Sequence, residues 1–182
     1  TITDIAFYNN FLSEIPEAAT KIWLGNTTAQ DLSDGWIPST EMRLVYDGDV
    51  DYLSGQNIIA ISLQRVFNYD SSNLVMMVQR PVELSWYSHM DLFKCQTRGS
   101  TRALRVASDN VLLDPIDPGN TTEFVQISGQ FPQTTFFCTG QPIERDLSVH
   151  SLTGNVTPAV GTAESYIVTV KNNGTVIESN YQ

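Results

Sequence analysis

N-I-I-A-I-S-L-Q-R-V-F, residues 57–67, is the stretch whose reading decides the fold. It is short, crowded with β-branched residues and flanked by turn-forming clusters at 47–56 and 68–73, so it reads as a β-strand rather than a helix. Ile59, Ile61 and Leu63 alternate with Ala60, Ser62 and Gln64. One face is therefore built for an apolar core and the other for a thinner, more polar cover. The expectation is a central strand with further strands packed around it.

Working outward, residues 41–47 alternate Met42, Leu44 and Tyr46 against Arg43 and Val45, the pattern of a first strand of the sheet. Residues 74–80, L-V-M-M-V-Q-R, are apolar at most positions, and Pro81 interrupts the ladder before 82–87, which predicts a bend, a bulge or a strand that changes sheets. Short strands are expected at 92–96, 101–107, 122–128 and 134–139, and long loops at 109–119 and 140–158. The chain closes with 165–171 and 175–179 around Asn172-Asn173-Gly174, where Asn-Gly between alternating runs signals a hairpin.

Residues 1–40 read as an irregular arm with a short N-terminal helix. Ser13 stands where it can cap a segment 15–24 in which Ile15, Ala18, Ala19, Ile22 and Trp23 share one helical face, and Gly25-Asn26 ends it. The strand count, with no βα alternation and no fixed repeat, makes the fold class all-β. The expected architecture is a two-sheet antiparallel β-sandwich, a jelly roll of about eight strands over 41–182, forming one domain with the arm. An immunoglobulin-like sandwich fits less well, because the Cys, Trp, Cys spacing is missing.

Composition narrows the partners. Hydrophobic residues make up 41% and charged ones 16% of the 182, enough apolar material for a core and too little charge for a disordered chain. The net charge of −10 opposes bulk binding to phosphate backbones. No run approaches the roughly 20 apolar residues that span a bilayer, so no membrane partner is expected. The start, T-I-T-D-I-A-F-Y-N-N, lacks the layout of a signal peptide. Cys95 and Cys138 have no companions at metal-ligand spacing and read as buried free thiols. Asn26, Asn120, Asn155 and Asn173 each open an Asn-x-Ser/Thr triplet, which would suit a secreted protein.

Four constellations are candidates for chemistry. Asp47, Asp49 and Asp51 place three carboxylates at alternate positions, like the opening of a calcium loop. Tyr52 stands where the tight turn needs Gly, and Ile58 where the bidentate Glu belongs, so an EF-hand is rejected and a solvated acidic turn is expected. His89 and His150, with Ser88 and Asp91 or Asp146 and Ser148 nearby, are the only histidines available to a nucleophilic triad, and no Gly-x-Ser-x-Gly elbow accompanies them. Arg98, Arg102 and Arg105, with Lys94, form a patch that could meet an anion, RNA phosphate or an acidic neighbour. Trp36 and Tyr52, expected in loops, are candidates for ligand contact. No catalytic residue, metal or cofactor is assigned.

A jelly roll of this length, poor in Lys, rich in Asn, Gln, Ser and Thr, and ending in Gln182, resembles a capsid subunit of the picorna-like viruses, most of all the small coat proteins of plant-infecting members. The resemblance spans the chain in length and strand pattern and carries no diagnostic motif. It implies a non-enzymatic structural subunit that assembles with sister jelly-roll coat proteins and copies of itself into an icosahedral virion around an RNA genome, in the host cytoplasm. Gln182 would then be a proteolytic processing terminus, since the main protease of that group cuts after Gln or Glu. One departure is that no cation precedes Lys21, whereas many RNA-packaging coats carry a basic amino-terminal arm. The alternative is a secreted β-sandwich binding module, lectin-like or adhesin-like, that recognises a glycan or receptor.

Overall fold

The computed structural model describes residues 1–81, 92–108, 110–140, 147–155, 157, 160–161 and 163–172. Among them the chain is all-β, and the one helical element is a 3-10 turn at Ser39–Glu41. The strands are β1 (Ile2–Phe11), β2 (Ile15–Thr27), β3 (Arg43–Tyr52), β4 (Gly55–Phe67), β5 (Asn73–Gln79), β6 (Cys95–Thr97), β7 (Ala103–Arg105), β8 (Gln126–Ser128), β9 (Gln130–Pro132), β10 (Thr134–Cys138), β11 (Leu147–Thr153) and β12 (Ile167–Asn172). They form five small antiparallel sheets, ordered β10-β1-β4, β3-β2-β5, β6-β9, β7-β8 and β11-β12. The chain divides into two compact units, Thr1–Thr139 and Gly140–Gln182.

The first forty residues are the largest departure from the sequence reading. The expected arm supplies the middle strand of both three-stranded sheets, and the expected helix at 15–24 is the strand β2. Ala18, Thr20, Ile22 and Leu24 are buried at alternate positions, the period of a strand. Ile15 joins the same side only because the register against β3 shifts between Ile15 and Ala18, where Glu17 takes a positive φ of 50°. That bulge turns a spacing of two into one of three, which imitates a helical turn. β1 does the same. Its register shifts between Ile2 and Asp4, and Ile2 and Ile5 are both buried although three residues apart.

One apolar cluster unites the inner faces of the two three-stranded sheets. β1 contributes Ile5, Phe7 and Phe11, β4 contributes Ile59, Ile61 and Phe67, β2 contributes Ile22 and Leu24, and β3 contributes Val45, Val50 and Tyr52. The alternation read in residues 57–67 holds, with Ile59 and Ile61 buried and Ala60, Ser62 and Gln64 exposed. The strand is not central, however. Among the described residues β4 pairs with β1 alone and forms an edge, because β1 lies between it and β10.

Residues 95–105 and 126–132 make an interrupted ribbon, with β6 on β9 and β7 on β8. The ladder is carried across the gap by Arg98 N–H to the Gly129 carbonyl at 2.9 Å and Arg102 N–H to the Ser128 carbonyl at 3.0 Å. In the second unit, β11 lies within the expected loop 140–158 and pairs with β12. The strand expected at 175–179, and with it the Asn-Gly hairpin turn, lies outside the described residues, as does 82–87. Cys95 and Cys138 are exposed free thiols, not buried ones, since each sits on a strand position turned away from the core.

Ile5 and Ile22 are both fully excluded from solvent on the two middle strands. Truncating either to Ala is expected to cost about 2–5 kcal/mol of unfolding free energy, the range for large-to-small changes in a packed core. A denaturant titration checks this, with Ile58→Ala on the exposed face of β4 as the control that stays close to wild type.

Candidate functional site

Asp47, Asp49 and Asp51 do not form a turn. They lie within β3, whose alternation sends Val50 and Tyr52 into the core and the three carboxylates to the opposite face. Asp47 pairs with Lys21 across the strands at 3.1 Å, and the Asp51 carboxylate accepts the Glu17 N–H at 2.9 Å. Alternate residues on a strand are about 6.6–7 Å apart, so Asp47 and Asp51 stand about 13 Å apart, too far for all three carboxylates to meet on one calcium ion that takes its oxygens at about 2.3–2.6 Å. Among the described residues no group of three His, Cys, Asp or Glu side chains could hold a metal.

β3 and β4 follow one another in the chain yet do not pair as strands. Between them lies a groove of about 450 Å³ lined by Tyr46, Asp49, Asp51, Leu53, Ile58 and Ser62, among others. One end is closed by the Gln64 side-chain amide, which donates to the Asp47 carbonyl at 2.9 Å and accepts the Asp47 N–H at 3.1 Å. A single glutamine thus makes both hydrogen bonds that a neighbouring strand would make. The other end is the turn at Leu53 and Ser54, which two asparagines hold. Asn9, fully buried on β1, donates to the Leu53 carbonyl at 2.8 Å, and Asn57 donates to the Ser54 carbonyl at 2.6 Å.

Tyr46 stands at the groove's wall, and its hydroxyl donates to the Asp49 carbonyl at 2.6 Å. Partial burial raises its pKa above the ordinary tyrosine value of 10.0, and the negative charges of Asp49 and Asp51 push the same way. Asp4, at the far side of β4, is held below the usual carboxylate range by hydrogen bonds from Ser62 and Thr3.

Of the residues chosen for ligand contact, Tyr52 is a core residue. It lies on β3 rather than in a loop, 5% exposed, with its hydroxyl on that of Thr20 at 2.9 Å. Its ring packs near Phe11 and Phe93, with the Arg80 guanidinium 5.4 Å from the ring centre. Trp36 is half-buried beside Gly119, and its indole N–H is enclosed without a hydrogen-bond partner among the described residues.

The arginines are exposed but not equivalent. Arg98 and Arg102 flank the break in the ribbon, and Arg105 sits on β7. The Arg102 guanidinium donates to the Gln30 carbonyl, while Leu32 N–H bonds to the Thr101 carbonyl at 2.8 Å, so Arg102 is committed to fastening the loop after β2. Asp31 in that loop is held below the usual carboxylate range, first by its bonds to Ser33 and then by Thr101 and the Arg102 charge. His150 is exposed on β11, whereas Ser88, His89, Asp91, Asp146 and Gln182 lie outside the described residues.

No protein-family model matches the chain, and no curated protein or solved structure shows significant similarity to it.

Two measurements test this geometry. Tyr46 is favoured in its neutral form, so its contribution to stability is complete below the unfolded tyrosine pKa and is lost as the pH rises through the higher folded value. Tyr46→Phe should flatten the alkaline limb of the stability-versus-pH curve while leaving the neutral region little changed, read by thermal unfolding across pH 8–12. At Gly129 an added Cβ would overlap the Gly99 carbonyl backbone. Gly129→Ala should therefore destabilise by about 1–3 kcal/mol through forced separation of the ribbon strands, measured by chemical unfolding.

Proposed function

We propose that this chain is a structural subunit that works by association, assembling with copies of itself and with related β-proteins into an icosahedral virion coat around RNA in the host cytoplasm. In this reading the two three-stranded sheets that share one core are the two layers of a jelly roll. The ribbon 95–132 and the β11-β12 hairpin are then the parts that meet neighbouring subunits.

The observation that carries the reading is the apolar second unit. On β11 and β12, Val149, Leu152, Ile167, Val168 and Val170 are all exposed, Ile167 at 69%. Neighbours on a strand face opposite ways, so Ile167 and Val168 make both sides of the hairpin apolar. A two-stranded hairpin has little stability by itself in water, and a contiguous exposed apolar surface marks a place where another surface is to be covered. Symmetric assembly repeats each such contact, so individually modest interfaces suffice.

The competing binding-module reading loses one of its supports, because Tyr52 is buried rather than presented. Two of its acceptor asparagines are also occupied. Asn26 donates to the Asn68 carbonyl at 3.1 Å, and Asn155 donates to the Glu164 carboxylate at 2.9 Å. The RNA contact in the assembly reading falls to Arg98 and Arg105, the two arginines of the patch whose side chains are not committed to Gln30.

The test is the mass of the native particle from its source, by light scattering and negative-stain microscopy, with the copurifying chains identified. A megadalton shell holding this chain beside similar-sized partners is expected, and Ile167→Asp with Val170→Asp should abolish it while the first unit stays folded. A persistent monomer near 20.2 kDa would overturn the reading.

A further inference from the structure

The groove between β3 and β4 has the properties of a receptor for an extended peptide. Among the described residues each strand is paired on one side only, β3 with β2 and β4 with β1, and both line the groove with their other edge. Both polar groups of a strand residue point to the same side, and successive residues alternate. Gln64 shows that the backbone of Asp47 faces the groove, and by alternation the backbones of Asp49 and Asp51 face it too. Those two residues lie between the closed ends, where the edges are left apart.

The space can be compared with what a strand needs. With strands about 4.8 Å apart, sheets about 10 Å apart and a rise of about 3.3 Å per residue, one extended residue fills roughly 160 Å³. The groove of about 450 Å³ therefore accommodates about three residues of an added strand. Its outer rim has a definite character. Asp49 and Asp51 supply negative charge from one side, while Ile58, 63% exposed, and Leu53, 45% exposed, supply apolar surface at the other side and at the turn.

We infer that this groove binds a short extended segment of a partner protein, adding it as a strand between β3 and β4, and that the segment alternates basic with apolar side chains. Charge chooses the occupant. Basic groups on the outer face, opposite Asp49 and Asp51, are attracted across neighbouring strands, and the apolar ones, turned to the inner face, meet Val50, Ile59 and Ile61. A second copy of this chain, at a net charge of −10, brings its own repulsion to an acidic rim. The Tyr46 hydroxyl, now on the Asp49 carbonyl, is a placeholder that the incoming N–H would displace. The inference is independent of the shell reading, since it needs only one chain and one peptide.

The test uses the purified full chain and a fluorescein-labelled synthetic peptide of alternating lysine and valine, followed by anisotropy and by amide hydrogen exchange. Saturable binding is expected, with new protection at Asp49, Asp51 and residues 58–62. The double variant Asp49→Asn with Asp51→Asn should weaken binding about tenfold, the factor that two cross-strand ion pairs supply. Ile58→Lys, at an exposed position, should weaken it further, and a glutamate–valine peptide of equal length should fail to bind. The inference is overturned if the two peptides bind alike, if neither variant changes the affinity, or if protection appears away from the groove. It is equally overturned if the chain self-associates through these residues and Ile58→Lys abolishes that instead, since the occupant would then be a second copy.

Discussion

The fold of the first unit depends on keeping two middle strands apolar on their inner faces. β1 and β2 each lie between two partners, so their inward residues are covered from every direction, and Ile5, Ile22 and Leu24 reach complete burial. A strand buried in this way cannot tolerate a slip of one residue, which would turn its apolar set outward. Bulges at Ile2/Asp4 and Ile15/Ala18 satisfy that constraint locally. They absorb one residue each so that the side chains on both sides of the irregularity still point into the same cluster.

Those same bulges explain what was legible in the sequence and what was not. Residues 57–67 carry an unbroken alternation through their middle, and the structure shows the same alternation in burial. Residues 74–80 were readable for a different reason, a nearly continuous apolar run that Pro81 interrupts. In 1–11 and 15–27 the period of two is interrupted by one residue, and the eye meets apolar positions at spacings of three and four, which belong to a helix. Pro16 and Glu17, inside the segment that reads as a helix, are the bulge itself. Local pattern was a sound guide wherever pairing was regular. It failed where pairing partners distant in sequence decided which side chains turned inward.

The candidate site was legible in its residues but not in its form. Asp47, Asp49 and Asp51 were singled out by their spacing, yet their setting as the outer face of an edge strand depends on β3 continuing to Tyr52, against the turn-forming composition of 47–56. Tyr52 was read as a loop aromatic for the same reason. Gln64, Asn9 and Asn57 gave no signal, because a polar residue that replaces a neighbouring strand or holds a turn looks like any other polar residue in one dimension.

The Gln64 amide on Asp47 has a consequence for safety in solution. An open sheet edge is a template on which chains can polymerise, and such growth requires a long uninterrupted row of free backbone groups. Here the row is cut short at one end by a side chain that imitates a strand and at the other by a turn pinned by asparagines. What remains is too brief to seed a fibre and long enough to be read. The protein keeps an edge available while denying it the length that amyloid growth would exploit.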